Sequence, residues 1–107
     1  MHWKIFTDAN TSEKAGKVLH KVIARLETNC SSEKVEPYHK GGFVCSFSTS
    51  TETSSWSQSI FQALSMAQKI GRGWVLTGDI TEELDAWSNE SSVVGVQNIH
   101  LVVEQNA

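Results

Sequence analysis

Ala15, Val18, Leu19, Val22, Ile23 and Leu26 recur at spacings of three and four, the pattern of a helix with one apolar stripe. Asn10, followed three residues later by Glu13, supplies a capping-box start, so a helix is expected over residues 11–28. The stripe needs a surface to cover it. Residues 2–7 are short, bulky and alternating, with Trp3 and Ile5 on one face, which is the signature of a strand. The chain is therefore expected to pack helix on sheet. At 107 residues one such core can be buried, whereas two would both be too thin, so residues 1–107 read as a single domain.

Further along, residues 29–34 read as a polar linker and residues 35–38 as a short strand. Pro37 points that strand to a sheet edge, because proline cannot donate to a ladder. Gly41-Gly42 marks a hairpin turn, and Phe43, Cys45 and Phe47 alternate with Val44, Ser46 and Ser48 as a strand buried on the Phe face. Ten of the fourteen residues in 46–59 are Ser or Thr, so that strand is expected to run out into a polar connection. Ser55 with Gln58 is a second capping pair, and Trp56, Ile60, Ala63, Leu64, Ala67 and Ile70 form a second stripe that Gly71 closes. Residues 74–77 read as a brief strand, 81–87 as a short acidic helix, and the β-branched run 93–103 as the last strand. The resulting fold class is α+β: an antiparallel or mixed sheet with two main helices on one face, in an order similar to the ferredoxin-like βαββαβ plan, with one short extra acidic helix.

The net charge of −3 conceals a division along the chain. Residues 1–72 hold all nine Lys and Arg against six acids, while residues 73–107 hold Asp79, Glu82, Glu83, Asp85, Glu90 and Glu104 and no Lys or Arg. No apolar run approaches the roughly 20 residues needed to cross a bilayer, and Met-His-Trp-Lys lacks the layout of a secretion signal. A cytoplasmic address, no membrane partner, and reduced Cys30 and Cys45 are expected accordingly. The sequence leaves open whether the two thiols ever meet, and whether the protein is a monomer or a homodimer. A homo-oligomer would be built on the strand near Pro37 or on the terminal strand.

Motifs that carry chemistry are missing from the sequence. His2, His20, His39 and His100 match no metal-ligand spacing, and neither a metal nor a cofactor is expected. His100 reads as a half-buried imidazole in a β run, and Cys45 as a buried strand thiol with a raised pKa. Gly71-Arg72-Gly73 follows a helix and precedes a strand, the reverse of a phosphate loop. Lys14, Lys17, Lys21 and Arg25 line the solvent face of the first helix without interleaved aromatics, so no nucleic-acid partner is expected. No catalytic residue is assigned, and the chain is expected not to be an enzyme.

Residues 78–90 place five acids around Leu84 and Trp87. Ile80, Leu84 and Trp87 could simply pack a short helix onto the sheet with its acids in water. Alternatively, acids with no neighbouring Lys or Arg attract a basic protein surface, with the aromatic residue as anchor. On the second reading Asp79, Glu82, Glu83, Asp85, Trp87 and Glu90 form the partner-binding set.

Size, the acidic final third and the missing catalytic signature together resemble small bacterial toxin-immunity proteins of the contact-dependent growth inhibition type. That resemblance implies a binding protein that blocks a toxin, such as a nuclease, by occluding its active site. The competing expectation is a small ferredoxin-like enzyme or ligand-binding domain with a pocket beside the sheet that holds His100 or Cys45.

Overall fold

The alternation in the first residues becomes strand β1 (His2–Thr7), with Trp3, Ile5 and Thr7 buried and His2 and Lys4 exposed. The structure is a computed structural model that describes residues 1–105. Helix α1 (Ser12–Leu26) follows. Its cap is Thr11 rather than Asn10, since the Thr11 hydroxyl accepts from the Lys14 amide at 3.2 Å. The α1 stripe buries Ala15, Leu19, Val22 and Leu26. Strands β2 (Cys30–Pro37) and β3 (Phe43–Thr49) form a hairpin. Its turn is closed by the Tyr38 amide donating to Gly42 O at 3.0 Å and by the Gly41 amide donating to Tyr38 O at 2.9 Å. Gly42 has φ +72°, and a Cβ there would sit 2.0 Å from the carbonyl oxygen of Thr7, so this turn admits only glycine.

Helix α2 (Trp56–Ala67) starts at the expected cap, with the Ser55 hydroxyl accepting from the Gln58 amide at 3.2 Å. Five short or medium strands complete the chain: β4 (Gly71–Arg72), β5 (Val75–Thr77), β6 (Glu83–Ser88), β7 (Glu90–Ser91) and β8 (Val96–Glu104). Six of the eight strands make one sheet in the order β2-β3-β1-β8-β6-β5, while β4 and β7 form a separate two-stranded ribbon. All pairings are antiparallel. The inward residues of β1, β3, β6 and β8 share one hydrophobic core with the buried faces of α1 and α2. Trp3 sits deep within it, stacked on Phe47 with centroids 6.0 Å apart, and its Nε1 donates to Thr49 Oγ1 at 3.0 Å.

Four further expectations are corrected. The acidic helix over 81–87 is strand β6: Leu84, Ala86 and Ser88 are buried in alternation and pair with Val103, Leu101 and Ile99 of β8. A strand ladder there satisfies the backbone on both sides, against β8 and against β5, which a two-turn helix with unpaired end groups would not do. The polar stretch 29–34 belongs to edge strand β2, held by its ladder to β3 rather than by burial. Gly71 does not cap α2; the helix ends at Ala67, and Gly71 pairs with Ser91 in the ribbon. The terminal strand β8 lies inside the sheet between β1 and β6, so it offers no free edge.

Candidate functional site

Strand period two decides which acids share a surface. With Leu84, Ala86 and Ser88 turned into the core, Glu83, Asp85 and Trp87 project from the opposite face of the sheet. Cross-strand register extends this open face: Glu83 lies opposite Glu104, Asp85 opposite Val102, and Trp87 opposite His100. His100 is in turn opposite Lys4, and Asn98 opposite Phe6. On β3 the outward residues Val44, Ser46 and Ser48 face Phe6, Lys4 and His2.

An aromatic row crosses this face. Tyr38 meets Phe6 edge-on with centroids 5.2 Å apart, and Phe6 lies against Trp87 at 5.9 Å. Trp87 stacks on the His100 ring at 3.8 Å with planes only 10° apart. The half-buried His100 is anchored through Nε2 to Asp85 Oδ1 at 2.8 Å. Trp87 nonetheless stays 40% exposed, so the indole is held from one side and presented to solvent on another. Between Phe6, Tyr38, Trp87, Asn98 and Lys40 lies an open cleft of about 300 Å³.

The sequence-predicted partner set is divided by the fold. Glu83, Asp85 and Trp87 form a contiguous row on β6. Asp79 and Glu82 sit in the β5–β6 turn beside it, where the Asp79 carboxylate accepts from the Thr81 amide at 3.0 Å and the Thr81 hydroxyl at 2.6 Å. Those two bonds hold the Asp79 carboxyl below its ordinary pKa, so it stays ionised while shaping the turn. Glu90 stands apart: it lies in the β4–β7 ribbon, opposite Arg72. Among the described residues no Lys or Arg forms an ion pair with Asp79, Glu82, Glu83, Asp85 or Glu90; the Lys pairs are Lys17 with Glu13 and Lys34 with Glu36. The α1 cations are therefore not folded over the acids.

Phe6, Tyr38, His100 and Glu104 join the site without having been expected there. Phe6 and Trp87 lie 81 positions apart, and their proximity depends on β1 and β6 both flanking β8. The one local signal was the outward set Lys4 and Phe6 in the β1 alternation.

The thiols are separate and free. Cys30 pairs in register with Thr49, and Cys45 with Val35. Cys45 is fully buried, its Sγ 3.7 Å from the Ala15 carbonyl oxygen, and burial pushes its pKa up to about 11. Burial, and next the Glu33 charge, also raise the Cys30 thiol. Neither is a poised nucleophile. Among the described residues no group of three His, Cys, Asp or Glu side chains could hold a metal ion, and no helix is long and apolar enough to cross a membrane.

No family model matches this sequence, and neither a curated protein nor a solved structure is found to be similar to it.

Proposed function

We propose that this chain is a binding protein whose open sheet face receives a basic surface of another protein. In its specific form the partner is a bacterial toxin domain, a nuclease for instance, that the chain neutralises in the cytoplasm by covering its active site, as an immunity protein does. The fold is then a ferredoxin-like core, β2-β3-β1-β8 with both helices on one side, widened by the β5–β6 hairpin that carries the acids.

The observation that carries the reading is the juxtaposition on one face of an exposed, pre-oriented Trp87 and carboxylates with which, among the described residues, no Lys or Arg forms an ion pair. Aromatic anchors at the centre of a patch with a charged rim are the usual layout of a protein interface. The charges act chiefly on encounter rate and partner choice. Lys4 and the acids share the face, and that mixture suits a protein partner better than a phosphate backbone. A catalytic role draws no support from Cys45, whose thiol lies under α1 and away from the open cleft.

The experiment is coexpression with the product of the adjacent upstream gene, followed by native mass spectrometry and binding kinetics. A one-to-one complex is expected. Trp87→Ala should weaken it by roughly 2 kcal/mol, about thirty-fold. Simultaneous Glu82→Lys, Glu83→Lys and Asp85→Lys should slow association and flatten its salt dependence. Binding that ignores all four substitutions would remove the open face from the account, and absence of a complex at micromolar concentration would remove the toxin partner.

A further inference from the structure

One row of side chains crosses the whole open face. Cross-strand register joins Lys34 to Ser46, Ser46 to Lys4, Lys4 to His100, His100 to Trp87 and Trp87 to Val75. The midline of the six strands falls between β1 and β8, and the two halves of the row differ in character. On the β2-β3-β1 half, Lys34 and Lys4 flank the small Ser46 at an open hollow of about 420 Å³, whose other walls include Glu36, Tyr38 and Val44. On the β8-β6-β5 half, Trp87 is 40% and Val75 60% exposed, with Asp85, Glu83 and Glu104 in the adjoining rows. Hollow and indole sit at matching places, because β3 and β6 are each the second strand from the midline. The Trp87 N–H also lacks an acceptor among the described residues, unlike the other three indoles.

We infer that, in the free protein, this face pairs with the same face of a second copy of the chain. A half-turn about an axis that lies on the midline, parallel to the strands, lays each half of the face on the other half of its mate, an isologous contact. Trp87 of one copy then meets Ser46 of the other and enters the hollow between Lys4 and Lys34. There the cations flank its ring, and the Glu36 carboxylate can accept its N–H. Val75 comes under the apolar stem of Lys34. Each Lys4 ammonium arrives beside the other copy's His100–Asp85 pair, so opposite charges meet twice across the axis although each chain carries −3 overall. The strands of the two copies run in one direction about this axis, within the roughly 30° that aligned sheets keep. Self-association through an edge is disfavoured instead: β2 has Pro37 and a bulge between Ser31 and Lys34, and β5 has three residues. Six strands at about 4.8 Å span roughly 24 Å, and three outward residues of a strand roughly 20 Å, so the face has an outline on the order of 500 Å² before side-chain relief. Transient contacts bury less than about 600 Å² per partner and standard ones about 800 Å², which places this dimer in the exchangeable class. If the proposed function holds, the dimer masks the docking face until the partner displaces the second copy.

Sedimentation equilibrium of the full chain alone, from low micromolar to submillimolar concentration, tests this inference. A dimer is expected. Trp87→Ala and Lys4→Glu should each weaken it at least about ten-fold, with circular dichroism and melting temperature unchanged, since both side chains are exposed. Asp85→Lys should weaken it as well, by setting two like charges against each other. An equimolar mixture of the Lys4→Glu and Asp85→Lys chains should recover the dimer, because both contacts across the axis again join opposite charges. Phe61→Glu, at a residue 76% exposed on α2, should leave the dimer intact. A monomer across the whole range, a dimer that survives both Trp87→Ala and Lys4→Glu, or a mixture no more associated than its two components would overturn the inference. No toxin domain enters this measurement, so its failure would leave the proposed function standing, and the failure of that function would leave the dimer.

Discussion

Asp85 fixes His100, and His100 supports Trp87, so the exposed indole has its orientation before any partner arrives. Pre-ordering matters because each side chain immobilised on binding costs about 0.5–1.5 kcal/mol. His100→Ala should therefore weaken partner binding by about 1 kcal/mol through loss of positioning alone, less than Trp87→Ala; titration calorimetry on the two variants measures the difference. Cys45 makes a separate claim about pH. Its thiol titrates near 11 when folded, against an ordinary 9.0, so the folded state holds its proton more tightly than the unfolded chain. The stability this contributes is complete below pH 9 and is lost as pH rises towards 11. Chemical denaturation midpoints should fall across that window in the wild type and fall less in Cys45→Ala. That variant should also be about 1 kcal/mol less stable at neutral pH, for the buried volume removed.

Strand β6 is where local pattern and tertiary pairing compete. Ile80, Leu84 and Trp87 fit a helical spacing, while Leu84, Ala86 and Ser88 fit a strand. The second wins because β5 and β8 both supply ladder partners. The two arrangements assign Ala86 opposite fates: outward on the helix, fully buried in the strand. Ala86→Lys should thus cost at least about 3 kcal/mol by burying an unpaired charge, while Trp87→Lys should fold with a melting temperature near that of the wild type; thermal denaturation of the pair decides between them. Elements with strong local periodicity were legible in the sequence. Helix α1, the Ser55 cap of α2, the β2–β3 hairpin and the inward set Trp3, Ile5, Cys45 and Phe47 stand in the structure as expected. Elements held mainly by pairing were not. The exposed residues of β2 and the two-residue ribbon of Gly71-Arg72 with Glu90-Ser91 carry no period that could reveal them.

Across the whole molecule, charge segregation along the sequence becomes segregation in space only in part. The β5–β6 turn and the β6 row bring Asp79, Glu82, Glu83 and Asp85 to one region, and Glu104 arrives there through β8. Glu90 is carried away to the ribbon. Trp87 belonged to the expected set, yet the rest of its aromatic row was hidden, because Phe6, Tyr38 and His100 come from three other segments joined only by the β2-β3-β1-β8-β6 order. That order also sets β5 at the sheet edge, where Val75 and Thr77 join the open face opposite Trp87 and Asp85. The four indoles differ in how they are held. Trp3, Trp56 and Trp74 donate their Nε1 protons to Thr49, Ile80 and Gly71, and Trp87 has no such acceptor among the described residues. The most direct measurement follows the four indole N–H resonances by nuclear magnetic resonance as the purified upstream-gene product is added. The Trp87 signal should shift or broaden while that of the buried Trp3 stays in place. An unmoved Trp87 signal in a complex that demonstrably forms would contradict the assignment of the open face as the docking surface.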